Sequence, residues 1–145
     1  MIFVVSLGDF DRCCYEDETT NRLEESLNCF SHFVNLNSVS YQSSFQPAQY
    51  STVSEFIDKP CYVIFTKYDV LCKKVENGAR FSHFPQETTD TDPQLVMNQI
   101  ADMFKQRDVD GKVKKYFCLS ALNEKEVKTC FNVILENVKL AEDGS

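Results

Sequence analysis

Hydrophobic positions along the chain follow two patterns, short continuous runs and stripes at helical spacing. The continuous runs are typical of strands buried inside a parallel sheet, and they cover Ile2–Leu7, Cys61–Phe65 and Val113–Leu119. The helical stripes predict helices over Glu16–Asn35, from Asp92 to about Gln106, and over Glu124–Leu140, with a short helical turn at Val70–Lys74. Strands that alternate with helices predict an α/β fold, in which a parallel sheet of about three strands is flanked by helices in three layers.

The stripes also predict which side chains the helices bury. Carboxylates at residues 16–18 suit the positive end of the first helix, so we expect them in its first turn. The expected buried positions are Leu23, Leu27, Phe30 and Val34 in the first long helix, Leu95, Met97, Ile100, Ala101 and Phe104 in the second, and Val127, Phe131, Ile134, Leu135 and Val138 in the third. The first strand has no polar residue before Ser6, which predicts burial on both faces.

Composition narrows the range of partners. The 145 residues form one domain by length and carry a net charge of −7, which disfavours nucleic acid and anionic membranes as partners. The apolar opening is too short for a transmembrane segment and lacks the basic start of a signal peptide, so we expect a cytoplasmic protein. Its seven cysteines should then be reduced, and without a Cys-x-x-Cys pair they predict no zinc site.

Polar residues follow each predicted strand at what should be one edge of the sheet. Asp9 follows the first strand, Asp69 the second, and Ser120-Ala121 the third. Parallel sheets bind ligands beyond the carboxyl ends of their strands. We therefore expect a ligand site at this edge.

The second strand ends in Thr66-Lys67-Tyr68-Asp69, which matches the [Asn/Thr]-Lys-x-Asp motif of GTP-binding proteins. An aspartate can accept hydrogen bonds from guanine N1–H and the 2-amino group, and adenine has no matching donor pair. Each such bond to a charged group contributes roughly 1.5–3 kcal/mol. The alternative is that Asp69 is only a turn or N-cap residue after a strand.

Longer segments strengthen the interpretation of this motif. Residues 2–11 and 16–27 resemble the fourth strand and following helix of heterotrimeric G-protein alpha subunits, and residues 56–69 resemble the fifth strand with its base-binding motif. The resemblance implies a P-loop-NTPase-like fold, with residues 1–145 as the C-terminal half of the GTPase domain of a truncated or divergent member. It also implies guanine contacts by Thr66, Lys67, Asp69, Ser120 and Ala121, where a backbone N–H of the segment after the third strand meets the base carbonyl.

The sequence departs from the family in its phosphate-binding features. No Gly-x-x-x-x-Gly-Lys-[Ser/Thr] segment occurs, and the family's Mg²⁺ ligands and catalytic arginine and glutamine belong to a region not represented here. We therefore expect weak GTP or GDP binding through the base alone, without Mg²⁺ ligands and without hydrolysis by this chain. Thr66 stands where the family has asparagine, which predicts weaker base binding with unchanged base choice.

Residues 38–54 form a polar stretch without charged residues, and this stretch is additional relative to the family. It enters a loop similar to an effector-contacting region. The alternative interpretation is a tolerated surface insertion, because lengthening a loop costs little entropy.

Three functional hypotheses follow. The first is an alpha-subunit-like guanine-nucleotide-binding protein of G-protein signalling. The second is a non-catalytic interaction module or decoy for partners of the family, and the third is a fragment with no independent role and an exposed strand edge at Ile2–Leu7. The resemblance implies beta-gamma, receptor or effector proteins as partners and allows peripheral membrane association.

Overall fold

The computed structural model describes residues 1–35, 59–80 and 92–143, with the side chains of 141–143 left out. The predicted insertion at 38–54 lies outside these residues. The described strands are β1 (Ile2–Ser6), β2 (Cys61–Thr66) and β3 (Val113–Cys118). The helices are α1 (Arg22–Val34), α2 (Tyr68–Glu76), α3 (Pro93–Arg107) and α4 (Glu124–Asp143), with a 3-10 turn at Leu7–Asp9.

The three strands form a parallel sheet in the order β1-β2-β3, which confirms the predicted fold class. In the first pair Ile2 lies opposite Tyr62, and Ser6 lies opposite Thr66. In the second pair Cys61 lies opposite Val113, and Phe65 lies opposite Cys118, with an irregularity between Cys61 and Tyr62. The central strand therefore fixes the position of both neighbours.

One face of the sheet carries the main core, formed with α1, α2 and α3. Phe65 on β2 contacts Phe104 on α3 at a ring distance of 5.3 Å, and Phe104 contacts Phe30 on α1 at 5.1 Å. Phe3 on β1 completes the series by packing edge-on against Phe30 at 5.3 Å. These aromatic contacts join two strands to two helices, and burial of each ring contributes about 1.5–3 kcal/mol.

The opposite face is covered by α4 over β2 and β3. Its core contains Tyr62, Ile64, Leu119, Cys130 and Ile134, with Phe117, Val127 and Val138 packed against it. The prediction that Phe131 and Leu135 are buried is wrong, because only one stripe of α4 meets the sheet. The prediction that β1 is buried on both faces is also wrong, since Ile2 is 41% and Val4 59% exposed.

The first long helix begins at Arg22, six residues after the predicted start at Glu16. Asn21 is its N-cap, and its side-chain oxygen accepts from the N–H groups of Leu23 and Glu24 at 2.8 and 3.4 Å. The same side chain donates to the Phe10 carbonyl at 2.8 Å. This buried amide therefore joins the helix to the segment after β1 and stops the helix from extending backwards.

Residues before Asn21 form a turn around Asp17. Its carboxylate accepts from Thr19 N–H at 2.9 Å and from the hydroxyls of Thr19 and Thr20. The prediction of residues 16–18 in the first helical turn is wrong because Asp17 binds these local donors instead.

Two other helices also differ from expectation. The predicted turn at 70–74 is a helix of nine residues, α2. In α3, Val96 is buried and Leu95 is exposed, while Ile100, Ala101 and Phe104 are buried as predicted. Asp92 caps α3, and Pro93 is its first residue.

Replacing Asn21 with alanine tests the capping amide. Asn21→Ala should lower the free energy of unfolding by about 2–4 kcal/mol, because a helix cap is lost and the buried Phe10 carbonyl loses its donor. Urea unfolding measures the change. The control Asn98→Ala removes an exposed amide on α3 and should change stability by less than about 0.5 kcal/mol; equal effects of the two changes would contradict the assignment.

The Asp17 turn predicts a local dependence on pH. The Thr19 and Thr20 hydroxyls and backbone N–H groups hold the pKa of Asp17 at about 2, below the ordinary 3.8. Because the pKa of Asp17 is lower in the folded turn than in the unfolded chain, ionised Asp17 stabilises the turn at pH values above the unfolded-state pKa of 3.8. This stabilisation should be lost as the pH falls from about 4 through about 2. NMR titration of the carboxyl should show this low pKa, and Thr19→Val with Thr20→Val should return it towards 3.8. An unchanged titration in the double variant would show that the hydroxyls are not the cause.

Candidate functional site

The candidate site lies where β2 ends, at Thr66-Lys67-Tyr68-Asp69. Lys67 has the left-handed backbone conformation, with φ 60° and ψ 37°, and it is the positive-φ residue other than glycine among those described. This conformation is uncommon for a residue with a side chain and turns the chain abruptly from strand to helix. As a result Asp69 lies in the first turn of α2, at the carboxyl edge of the sheet.

Asp69 is held by the segment that follows β3. The Ser120 hydroxyl donates to Asp69 Oδ1 at 2.9 Å across the sheet edge. Lys67 is the N-cap of α2 and no side chain caps this helix, so the alternative of Asp69 as an N-cap is wrong. The two predicted site residues therefore meet directly.

Glu126 fixes the Ser120 segment from the first turn of α4. Its carboxylate accepts from Ser120 N–H at 3.0 Å and from the Asn123 side-chain amide at 2.7 Å. Ala121 follows Ser120 and is exposed. An open groove begins at Ser120 and continues along α4, where Lys125, Lys128 and Asn132 line it.

Lys67 extends over the turn after β1. Its Nζ lies 3.7 Å from Asp9 Oδ2, and Arg22 approaches Asp9 Oδ1 at 3.7 Å. Gly8 is buried beneath this contact, where an added Cβ would lie 3.1 Å from Val70 Cγ1 and 3.3 Å from Lys67 Cδ. The lack of a side chain at Gly8 thus lets the lysine stem and α2 approach the end of β1.

The Asp9 carboxyl titrates at low pH because of its neighbours. Partial burial raises its pKa, but three nearby cationic side chains outweigh burial, and the net pKa is lowered. The cations are Lys67, Arg22 and Arg12. Ser6 Oγ has no hydrogen-bond partner among the described residues, so we ascribe the lowering to the cations.

Thr66 is oriented differently from the rest of the motif. Its hydroxyl donates to the Val5 carbonyl at 3.2 Å, which ties β2 to β1. The structure therefore brings Lys67, Asp69 and Ser120 together at one edge, with Ala121 adjacent, while the Thr66 side chain contacts the neighbouring strand.

Sequence reasoning missed Lys74, which anchors the same edge. Its ammonium donates to the Gly8 carbonyl at 2.7 Å and pairs with Asp11. The sequence signal was the position of Lys74 two turns after Lys67 on one helix. Its partners lie 63 and 66 residues away, so local patterns could not identify them.

The described residues contain no group of three or more His, Cys, Asp or Glu side chains that could hold a metal ion. At the site itself, Asp9 is engaged by cations and Asp69 by Ser120. The residues described at this edge therefore do not fit a Mg²⁺ site. No helix in the described ranges is long and apolar enough to cross a membrane.

Comparison of the sequence with known proteins identifies the family of this chain. The family model for the G-protein alpha subunit matches residues 1–138. Similar proteins include a guanine nucleotide-binding protein G(o) subunit alpha from Geodia cydonium, 28% identical over 95% of this chain and 35% of that protein. The alpha-12 subunit from Rattus norvegicus is 25% identical over 95% of this chain and 32% of its own length.

The alpha-2 subunit from Dictyostelium discoideum is 27% identical over 73% of this chain and 25% of its own length. The chain thus spans about a third or less of the length of these relatives. The family model covers almost the whole chain, and the structure has the parallel sheet expected for the family. The chain belongs to the G-protein alpha subunit family.

Proposed function

We propose that this chain recognises the guanine base of GDP and GTP at the edge formed by Lys67, Asp69, Ser120 and Ala121. The hydrogen bond of 2.9 Å between Ser120 and Asp69 is the observation that carries the proposal. It holds one carboxylate oxygen, while the second oxygen and the remaining lone pairs stay available for donors. Guanine N1–H and its 2-amino group form a donor pair that fits such a carboxylate.

The neighbouring groups support the same choice of base. The alkyl stem of Lys67 is held over Gly8 by the contact with Asp9, and such a stem can lie along the base plane. Ser120 N–H is already bonded to Glu126, which leaves Ala121 N–H as the neighbouring backbone donor for the base carbonyl. Adenine carries an amino group at that position and would oppose one donor with another.

Phosphate binding is not part of this proposal. The 145 residues contain no phosphate-loop lysine, and the described residues hold no metal cluster. We therefore propose that the chain corresponds to the C-terminal half of the family's GTPase domain and binds nucleotide weakly, by base contacts. Hydrolysis by these residues alone is not expected.

Calorimetric titration with GDP, with ADP as the control and Mg²⁺ present, tests the proposal. Heat of binding with GDP and none with ADP is the expected result. Equal heats with both nucleotides, or none with either from a folded sample, would overturn the proposed base recognition.

Exchange of the Asp69 carboxylate for an amide should change the preferred base. In Asp69→Asn the new amide N–H₂ faces the guanine 2-amino group, so GDP affinity should fall by about tenfold or more. Xanthosine diphosphate carries a carbonyl at that position and should bind the variant better than GDP. Titration of both nucleotides against wild type and variant provides the comparison, and an unchanged preference for GDP would refute the role of Asp69.

Removal of the Ser120 hydroxyl should weaken guanine binding without changing base choice. Ser120→Ala leaves Asp69 without its fixed partner, and we expect a loss of about threefold to tenfold in GDP affinity. Asn132→Ala changes the same groove further from Asp69 and is the matched control. The role of Ser120 would be disproved by equal GDP affinities in both variants.

A non-catalytic interaction module is the second candidate function. It is favoured by the exposed apolar side chains of β1 and α4, which include Ile2, Val4, Phe131 and Leu135. Beta-gamma, receptor and effector proteins are the partner classes that family membership suggests.

A further inference from the structure

Three side chains at the start and along one side of α2 face the turn that follows β1. Lys67, Val70 and Lys74 stand at i, i+3 and i+7, which is the spacing of one stripe on a helix. Val70 packs over Gly8, where an added Cβ would lie 3.1 Å from Val70 Cγ1. The two lysines lie at the ends of this stripe, so both reach the segment after β1 from the same side.

The lysine at the first end of the stripe makes a weak contact. Lys67 Nζ lies 3.7 Å from Asp9 Oδ2, which is longer than a hydrogen bond, and the lysine side chain is 53% exposed. An exposed ion pair contributes little free energy, because solvent screens it and the side chains lose entropy. This pair alone therefore does not fix the position of Lys67.

The lysine at the other end makes a stronger contact. Lys74 Nζ donates to the Gly8 carbonyl at 2.7 Å and also to Asp11 Oδ1, so two of its three N–H groups are bonded. The side chain of Lys74 is 21% exposed and that of Asp11 is 24% exposed. Charge-assisted hydrogen bonds are stronger than neutral ones, and partial burial protects them from screening. Lys74 is thus the better placed of the two lysines to hold α2.

The backbone at the start of α2 requires such a restraint. The φ of 60° and ψ of 37° at Lys67 are uncommon for a residue with a side chain, and such conformations persist where surrounding contacts enforce them. Lys74 binds the carbonyl of Gly8, the residue beside which the Lys67 stem lies. Because α2 has only nine residues, a contact in its last turn also sets where its first turn lies.

We infer that Lys74 is a positioning residue, which holds α2 on the turn after β1 and thereby places the Lys67 side chain at the carboxyl edge of the sheet. The described bonds of its ammonium go to Gly8 and Asp11 and to none of the proposed base-binding residues. The effect on Lys67 does not depend on nucleotide. The resulting effect on GDP affinity rests on the proposed function.

NMR titration of the Asp9 carboxyl tests this placement without nucleotide. Burial raises the pKa of Asp9, and nearby cations that include Lys67 lower it overall. Lys74→Met should let Lys67 move away, so the pKa of Asp9 should rise. The matched control Lys73→Met removes the same charge from the same last turn of α2, and it should leave the Asp9 titration unchanged.

A double-mutant cycle shows whether Lys74 acts through Lys67. Lys67→Ala alone should raise the pKa of Asp9, and adding Lys74→Met should raise that pKa no further. Arg12 and Arg22, the other cations that lower the pKa of Asp9, are present in every variant. A direct effect of the lost Lys74 charge would persist without Lys67 and would overturn the inference. An unchanged Asp9 titration in Lys74→Met would overturn it as well.

GDP titration of the same variants tests the consequence at the site. Lys74→Met should lower GDP affinity by about threefold to tenfold in wild type, and by less than about twofold in the Lys67→Ala background. Lys74→Arg keeps the charge and the donors, and it should bind GDP within about twofold of wild type. Equal GDP affinities in Lys74→Met and Lys73→Met would contradict the positioning role.

Circular dichroism establishes that each variant is folded. Lys74→Gln keeps a shorter neutral donor and replaces Lys74→Met if that variant does not fold, with the same direction of change expected in both titrations. A folded wild type that binds no GDP would overturn base recognition, whereas the Asp9 cycle would still decide the role of Lys74. Equal losses of GDP affinity in the presence and absence of Lys67 would overturn that role while leaving base recognition intact.

Discussion

The structure depends on the burial of β2 on both of its faces. Residues 61–65 are all buried, and the strand pairs on both sides with parallel neighbours. Val63 and Phe65 enter the core with α1 and α3, while Tyr62 and Ile64 enter the core with α4. Because the side chains of a strand alternate between faces, this strand requires a helical layer on each side. The three-layer arrangement follows from that requirement.

The end of β2 decides where the site forms. The left-handed backbone of Lys67 turns the chain out of the sheet, and α2 begins at the next residue. The close approach of Val70 and Lys67 to Gly8 then holds α2 against the turn after β1. Asp69 is thereby placed beside Ser120 by the same turn that ends the strand.

Asp69 differs from the other carboxylates at this edge in its partners, because the others pair with cationic side chains. Asp9 lies beside Lys67 and Arg22, and Asp11 pairs with Lys74. These partly exposed pairs are worth little in stability, about 0–1 kcal/mol each, so positioning is their main consequence. Asp69 instead has a neutral hydroxyl as its described partner, bonded to one oxygen of the carboxyl group. A carboxylate in this state suits a ligand with paired N–H groups, which is the physical basis of the proposed base choice.

Sequence patterns predicted the strands and the sheet edge well, because those features depend on local hydrophobic runs and on turn residues. They also predicted that Asp69 and Ser120 lie at the same edge, since parallel strands end at one edge. They failed at the start of α1, where Asn21 binds the distant Phe10 carbonyl and Asp17 binds its own turn. They failed again at Phe131 and Leu135, because apolar periodicity does not show how wide a stripe the sheet can cover. Lys74 was missed because its contacts with Gly8 and Asp11 depend on tertiary structure.

β1 and the candidate site are connected through the turn at Leu7–Asp9. Among the described strands β1 is bonded to β2 alone, so its ladder opens more easily than that of β2. Asp9, which holds Lys67, and Gly8, which supports its stem, lie directly after this strand. Any strand that pairs with β1 adds backbone hydrogen bonds to the segment that positions Lys67, without contact with the proposed base-binding residues. Order at the edge of the sheet is therefore one physical determinant of how well the lysine is placed at the site.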